Sequence, residues 1–251
     1  MMSSLTIYPI TNYSFGTKQP KIEKDSSVIQ RMERLREKYA QEGVRKSVDA
    51  VLVVYQHGHP HILLLQIGST FFKLPGGRLR PGEGEVEGLQ RKMMTTLAPE
   101  AEHLKPEWRI GEVLGTYYRP NFENIMYPYC PAHIERPKEI RRLYLVQLPE
   151  KCFLAVPKNY RLVAVPLFEI YDHMQRYGPV ISAIPQLLSR FNIVKAQGAS
   201  AATGAEGVVK NEEQPVAADT TLSLHPDQAV MVTEQPPHAP QKDDDFVVDF
   251  D

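Results

Sequence analysis

The chain has 251 residues, 42% of them hydrophobic, a net charge of -1 and two cysteines, Cys130 and Cys152. That length supports one large domain or two small ones, and two cysteines make neither a disulfide framework nor a metal site, which favours free thiols in the cytosol or nucleus. No run approaches the ~18 apolar residues of a membrane span, and "MMSSLTIYPI" lacks the basic, apolar, small-residue order of a secretory signal.

In chain order, "LTIYPITNYSF" reads as extended, with Pro9 breaking any helix. "DSSVIQRMERLREKYAQEG" opens on cap candidates, puts Val28, Met32, Leu35 and Tyr39 on one stripe and stops at Gly43, which predicts an amphipathic helix. "SVDAVLVVYQ" and "HILLLQIG" flank "HGHP" and predict a hairpin. "FFKLPGGRLRPGEGEVEGLQRKMMTTLA" gives a strand end, a glycine-rich loop and a helix. "WRIGEVLGTYYR" and "RRLYLVQL" are strand-like, and between them runs a long loop with four prolines, "PNFENIMYPYCPAHIERPKE", of the kind that usually carries function. The "RPKEIRR" run fits a solvated strand edge or a track for a nucleic-acid backbone. "PLFEIYDHMQ" and "VISAIPQLLSRF" predict terminal helices separated by a "YGP" turn.

Composition changes near Lys195. Residues 196–251 hold 11 acidic and 2 basic residues, which leaves 27 basic and 19 acidic in residues 1–195. A basic body is compatible with a polyanionic partner. The tail has two aromatics, Phe246 and Phe250, and is expected to be disordered because it cannot offset its ordering entropy by burial. Its end, "DDDFVVDFD", fits a solubilising tail or a short docking motif. The expected organisation is an extended segment over 1–22, an α/β domain over 23–195 and an acidic tail over 196–251.

The strand, glycine loop and helix resemble a Nudix domain, whose box is G-x5-E-x7-R-E-U-x-E-E-x-G-U with U bulky and apolar. Gly77, Glu83 and Arg91 fall in register, but the box acids fall on Lys92, Thr95 and Thr96, and the late glycine on Ala98. Pyrophosphate cleavage in that family needs a hard divalent ion held by oxygens, and carboxylates at 92, 95 and 96 would share one helix face. An ammonium and two hydroxyls repel or ignore such an ion. No catalytic residue, metal ligand or cofactor is therefore assigned. The glycines and Arg91 read as scaffold: a tight turn, a helix entry and an internal ion pair.

Beyond the box, "TIYPITNYSFGTKQP", "EKDSSVIQRM", "TFFKLPGG", "RPNFE", "YPYCPAHI", "FLAVPKNYRLVAVPLFEIYD" and "YGPVISAIPQLLSRFN" are similar to the small subunits of cleavage factor I, which act in pre-mRNA 3′-end cleavage and polyadenylation. The similarity covers about residues 5–193. It implies a Nudix fold, an α/β/α sandwich around mixed sheet, in a nuclear homodimer without hydrolase activity. It also implies binding of single-stranded RNA with a UGUA-type element and a larger partner carrying an RNA-recognition motif. The residues carried over as RNA contacts are Glu23, Arg31, Asp49, Thr70, Phe71, Leu74, Tyr177 and Gly178. Unpaired bases are read by stacking on aromatics or guanidinium planes and by hydrogen bonds at their edges, which suits Phe71, Arg31 and Glu23. Strand alternation allows one of Phe71 and Phe72 to face outward, and the resemblance assigns that place to Phe71. At Asp49 the related proteins usually have Glu, a longer reach. Tyr127 and Tyr129 are the expected anchors for the larger subunit. The alternative is residual binding or hydrolysis of a nucleotide such as a dinucleoside polyphosphate.

Overall fold

The computed structural model describes residues 4–22, 25 and 27–196. Glu23 and the acidic tail from residue 197 lie outside the described residues.

The fold begins with strands β1 (Ser4–Ile7) and β2 (Tyr13–Lys18), separated by a turn of 3-10 helix after Pro9. Helix α1 (Val28–Glu42) starts at Ser27, whose hydroxyl accepts from Gln30 N at 3.2 Å, and stops at Gly43, where φ is 74°. Of its apolar stripe Leu35 is buried, Met32 and Tyr39 are half-buried, and Val28 is exposed. Next come β3 (Arg45–Val51), β4 (Val53–Gln56), β5 (His59–Ile67), β6 (Phe71–Lys73) and β7 (Gly76–Arg78). Helix α2 (Glu85–Leu97) and β8 (Arg109–Arg119), β9 (Glu139–Gln147), β10 (Cys152–Pro157) and β11 (Tyr160–Pro166) follow. Short helices α3 (Leu167–Ile170), α4 (Met174–Ser182) and α5 (Ile184–Leu188) lead to β12 (Asn192–Lys195).

The expected hairpin is only half of what forms. β4 and β5 are joined by His57 and Gly58, both with positive φ (47° and 84°), the geometry a two-residue hairpin turn requires. β3, read as part of the same strand, instead enters another sheet in the order β7-β3-β9-β8, parallel to β9 and antiparallel to β7. β4 and β5 belong to a sheet in the order β11-β5-β4, with β6 added on β5. The apolar run is continuous because both faces are covered, so alternation gives no mark of the handover at Leu52.

The two faces have separate cores. Ile62, Leu64, Phe72, Leu74, Val165, Tyr177 and Ile184 pack in one, beside α3, α4 and α5. Leu63, Leu65, Leu89, Met93, Leu97, Trp108 and Leu154 pack in the other, beside α2. The body is thus an α/β/α arrangement around mixed sheet. β10 and β2 pair in parallel, as do β1 and β12. The "RPKEIRR" run is not a solvated edge, because β9 is an inner strand and Glu139 is buried.

Candidate functional site

The strand pair β5–β6 places Ile67 opposite Phe71, and alternation sends successive β6 side chains to opposite faces. Phe71 is 51% exposed and Phe72 only 8%. Thr70, in the preceding turn, is exposed as well. Behind Phe71, the Phe72 ring lies 5.0 Å from that of Tyr177, and the Arg176 guanidinium stands over both, 5.5 and 5.4 Å from their centroids. Arg176 pairs with Glu169 at 3.4 Å, and the Tyr177 hydroxyl donates to the same carboxylate. Burial and that acceptor together raise the Tyr177 phenol far above its ordinary range, so it stays a donor. Gly178 has φ 76° and ψ 168° and breaks α4 at the expected turn, while its carbonyl accepts from Ser182 Oγ at 2.7 Å.

The side chains of Leu74 and Tyr177 belong to the core behind this surface. What they offer a ligand is support, and at Gly178 a backbone freed from the helix. Thr70, Phe71, Leu74, Tyr177 and Gly178 therefore form one group, exposed at its front and packed at its back.

Arg31 and Asp49 form a second group. Ala50 N donates to Pro75 O at 2.7 Å, and Asp49 stands opposite Gly76 in the β3–β7 pairing, two residues past Leu74. A β-carbon on Gly76 would meet Val48 O at 2.2 Å and Asp49 Oδ1 at 2.4 Å, and its φ of 154° is one that side chains disfavour. Asp49 is buried, 3.4 Å from Arg141 Nε. Burial raises the Asp49 carboxyl, although Arg141 opposes it. Glu139 lies at the centre: it accepts from Ser47 Oγ at 2.7 Å and Arg119 Nε at 3.0 Å, and has Arg45 at 3.4 Å and Arg141 at 3.7 Å. Burial works against its charge, but Arg141, Arg45 and Arg119 hold the carboxyl down to about 2. Arg31 donates to Asn124 Oδ1 and feels the same network: burial lowers its pKa first, then Arg119 and Arg141, with Glu139 opposing. The sequence marks Arg31 and Asp49 through the resemblance. Arg45, Ser47, Arg119, Glu139 and Arg141 were missed; Glu139 and Arg141 had a signal, a charged start to the otherwise apolar β9, while Arg45 and Ser47 on β3 and Arg119 at the end of β8 had none.

Tyr127 and Tyr129 stand on the long loop, their rings 5.8 Å apart. Tyr127 exchanges backbone hydrogen bonds with Tyr118 at 2.7 and 2.9 Å, which fixes the loop to the end of β8, and Tyr129 is 58% exposed.

On α2, Arg91 holds Glu83 by two hydrogen bonds of 2.5 Å, and Arg80 N adds a third of 2.7 Å; those contacts keep the Glu83 carboxyl near 2. The internal ion pair expected of Arg91 thus has Glu83 as its partner. Thr95 Oγ1 donates to Arg91 O at 2.8 Å, Thr96 is buried, and Glu85 is engaged by Arg142 and the Tyr144 hydroxyl. Among the described residues no group of three His, Cys, Asp or Glu side chains could hold a metal ion. Lys92 stands where the box has an acid, with Cε 3.5 Å and Nζ 3.7 Å from where a β-carbon on Gly77 would lie. A divalent ion does not fit this set of donors.

The NUDIX_2 family model, described as nucleotide hydrolase, matches residues 3–191. The chain is 59% identical over 192 residues to an Arabidopsis thaliana protein named pre-mRNA cleavage factor Im 25 kDa subunit 2, covering 76% of this chain and 96% of that one. It is 49% identical over 195 residues, 77% of this chain and 96% of the other, to a Dictyostelium discoideum protein named cleavage and polyadenylation specificity factor subunit 5. A second Arabidopsis thaliana protein, named pre-mRNA cleavage factor Im 25 kDa subunit 1, is 46% identical over 186 residues, covering 74% and 84%.

Proposed function

We propose a function on one premise, that the chain belongs to the Nudix family and within it to the small subunits of pre-mRNA cleavage factor. It is a nuclear subunit of the cleavage and polyadenylation machinery that binds single-stranded RNA with a UGUA-type element and performs no hydrolysis. The observation that carries this reading is Phe71, an exposed ring at the end of a strand that Phe72 anchors in the core against Tyr177. Glycine at 178 adds backbone groups freed from the helix, which suit a base edge. Arg31 supplies a guanidinium plane that can stack or donate. The side chains of Leu74, Tyr177 and Asp49 act from beneath, and Glu23 is carried over by the resemblance alone.

Lys92, Thr95 and Thr96 support the absence of hydrolysis, since no oxygen cluster is there to orient a metal-bound water. The protein forms a homodimer and docks a larger subunit bearing an RNA-recognition motif through Tyr127, half-buried, and Tyr129, exposed, neighbours on a loop fixed to β8.

The test is an anisotropy titration of the full chain with a UGUA-containing RNA and a scrambled control. Phe71→Ala is expected to weaken the UGUA complex by about 1–3 kcal/mol, the worth of one stacked base. Equal affinity for the two RNAs would overturn the assignment. Phosphate release from a dinucleoside polyphosphate with magnesium would overturn the non-catalytic reading. Unchanged co-purification of the larger subunit with Tyr127→Ala plus Tyr129→Ala would remove the docking assignment.

A further inference from the structure

A cleft of about 820 Å³ opens between α1, the glycine-rich loop and α2, apart from the Phe71 surface. Its walls carry an excess of cations, and these fall into two sorts. Arg34, Arg45 and Arg91 pair with Asp25, Glu139 and Glu83, and Lys38 and Arg78 share Glu42. Lys21, Lys46, Arg80 and Lys92 also line the cleft, and among the described residues no salt bridge engages them.

Lys92 is the most informative of the four. It is half-buried, and its stem lies along Gly77, which presents no side chain to cover it. Burial lowers its pKa, Arg91 and Lys21 lower it further, and Glu83 only partly opposes them. An ammonium held among like charges, with open space before it, lacks an anion. Metal is not needed to bring one, because the cation is part of the chain.

Residues of the proposed base-reading surface stand close to the cleft on two sides. On α1, residues 31, 34, 35 and 38 share one stripe, so Arg31 stands about one turn before Arg34 and two before Lys38 on the cleft wall. On the other side Gly76 lines the cleft, five residues beyond Phe71, which limits their separation to about 18 Å.

We propose that this cleft is a metal-independent phosphate site, centred on Lys92 and Arg80, that receives backbone phosphates of the RNA flanking the element read at Phe71. The proposal rests on the RNA-binding reading above. An RNA strand is favoured over a free phosphate compound because the helix stripe that carries Arg34 and Lys38 on the cleft wall also carries Arg31, outside the cleft.

The experiment compares, on the full chain, a short RNA holding only the element with one extended on both sides, and a scrambled extended RNA. Each is titrated against wild type, Phe71→Ala and the double variant Lys92→Gln plus Arg80→Gln, with EDTA and with magnesium. The extension is expected to strengthen wild-type binding, and the double variant to lose that gain while binding the short RNA as wild type does. Single-stranded contacts contribute about 0.7 each to the slope of log affinity against log salt, so losing two should flatten it by about 1.4, roughly a sevenfold difference between 50 and 200 mM salt. EDTA should change nothing. A gain that survives in the double variant, or that needs magnesium, overturns the proposal. Inorganic triphosphate binding at Lys92 with no gain from the extension would also overturn it, in favour of a free phosphate ligand. Oligo-glutamate displacing the extended RNA as well as triphosphate does would refute the assignment to phosphate. If the short RNA fails to bind, the base-reading proposal fails instead, and the slope on scrambled extended RNA still measures the cleft.

Discussion

Glu139→Gln is the substitution that tests the charge network most directly. The native carboxylate is 3% exposed, accepts from Ser47 and Arg119, and faces Arg45 and Arg141 within 3.7 Å. Glutamine keeps the shape and one acceptor oxygen but leaves three guanidinium groups with a charge removed from their centre. Removing one member of a buried ion pair costs about 3–5 kcal/mol, and the near-isosteric change points to the lower end. The same size follows from the carboxyl itself, since a fall from an ordinary 4.5 to about 2 corresponds to about 3 kcal/mol. At 2–4 °C per kcal/mol for a chain of this size, the midpoint should drop by about 6–12 °C at neutral pH. The pH dependence has a definite sign. A carboxyl with a depressed folded pKa stabilises above its unfolded value and loses that contribution as pH falls, here between about 4.5 and 2. Thermal melts of wild type and variant at pH 7, 4 and 3 should therefore show the gap narrowing at the acid end. A variant within 2 °C of wild type at pH 7, or a gap that does not change down to pH 3, would refute the reasoning.

Phe72→Ala should cost about 3–5 kcal/mol of stability by leaving a cavity against Tyr177 and Arg176, whereas Phe71→Ala should leave the denaturation midpoint nearly unchanged; paired urea curves separate the two. Gly76→Ala should destabilise by about 2 kcal/mol or more, because the new carbon would lie 2.2 Å from Val48 O at a positive φ, and thermal melting reads the loss. Ser27→Ala removes the cap of α1 and should cost about 1 kcal/mol, visible in the same assay.

Much of this fold is legible in residue order. Ser27 and Gly43 bound α1 as the cap signals predict, and the Phe71–Phe72 alternation needs only the strand period. The hairpin turn at His57–Gly58 follows from the residues that tolerate positive φ. What fails to show has a common cause. At Leu52 the chain passes from one sheet to another inside an unbroken apolar run, and burial on both faces erases the period that would mark the change. The parallel partners of β2 and β1 are distant in sequence, so no local signal announces them. In "RPKEIRR" the charges look solvated because a sequence lists residues singly, while Glu139 is stable inside only because three guanidinium groups surround it. The Lys92 cleft is hidden for a similar reason: its walls come from four stretches, within 21–25, 34–46, 76–83 and 91–92.

One pairing has a consequence for the making of the protein. β1 pairs in parallel with β12, with Ser4 beside Asn192, so β1 leaves the ribosome long before the strand it pairs with. Leu5 and Ile7, buried in the finished fold, have no partner strand until synthesis has passed Lys195. β2 waits nearly as long for β10. Closing such long loops is slow, and an unpaired apolar strand is open to association with other chains meanwhile. The N-terminal segment should therefore be the last to gain hydrogen-exchange protection during refolding, and the part of the nascent chain most dependent on a chaperone.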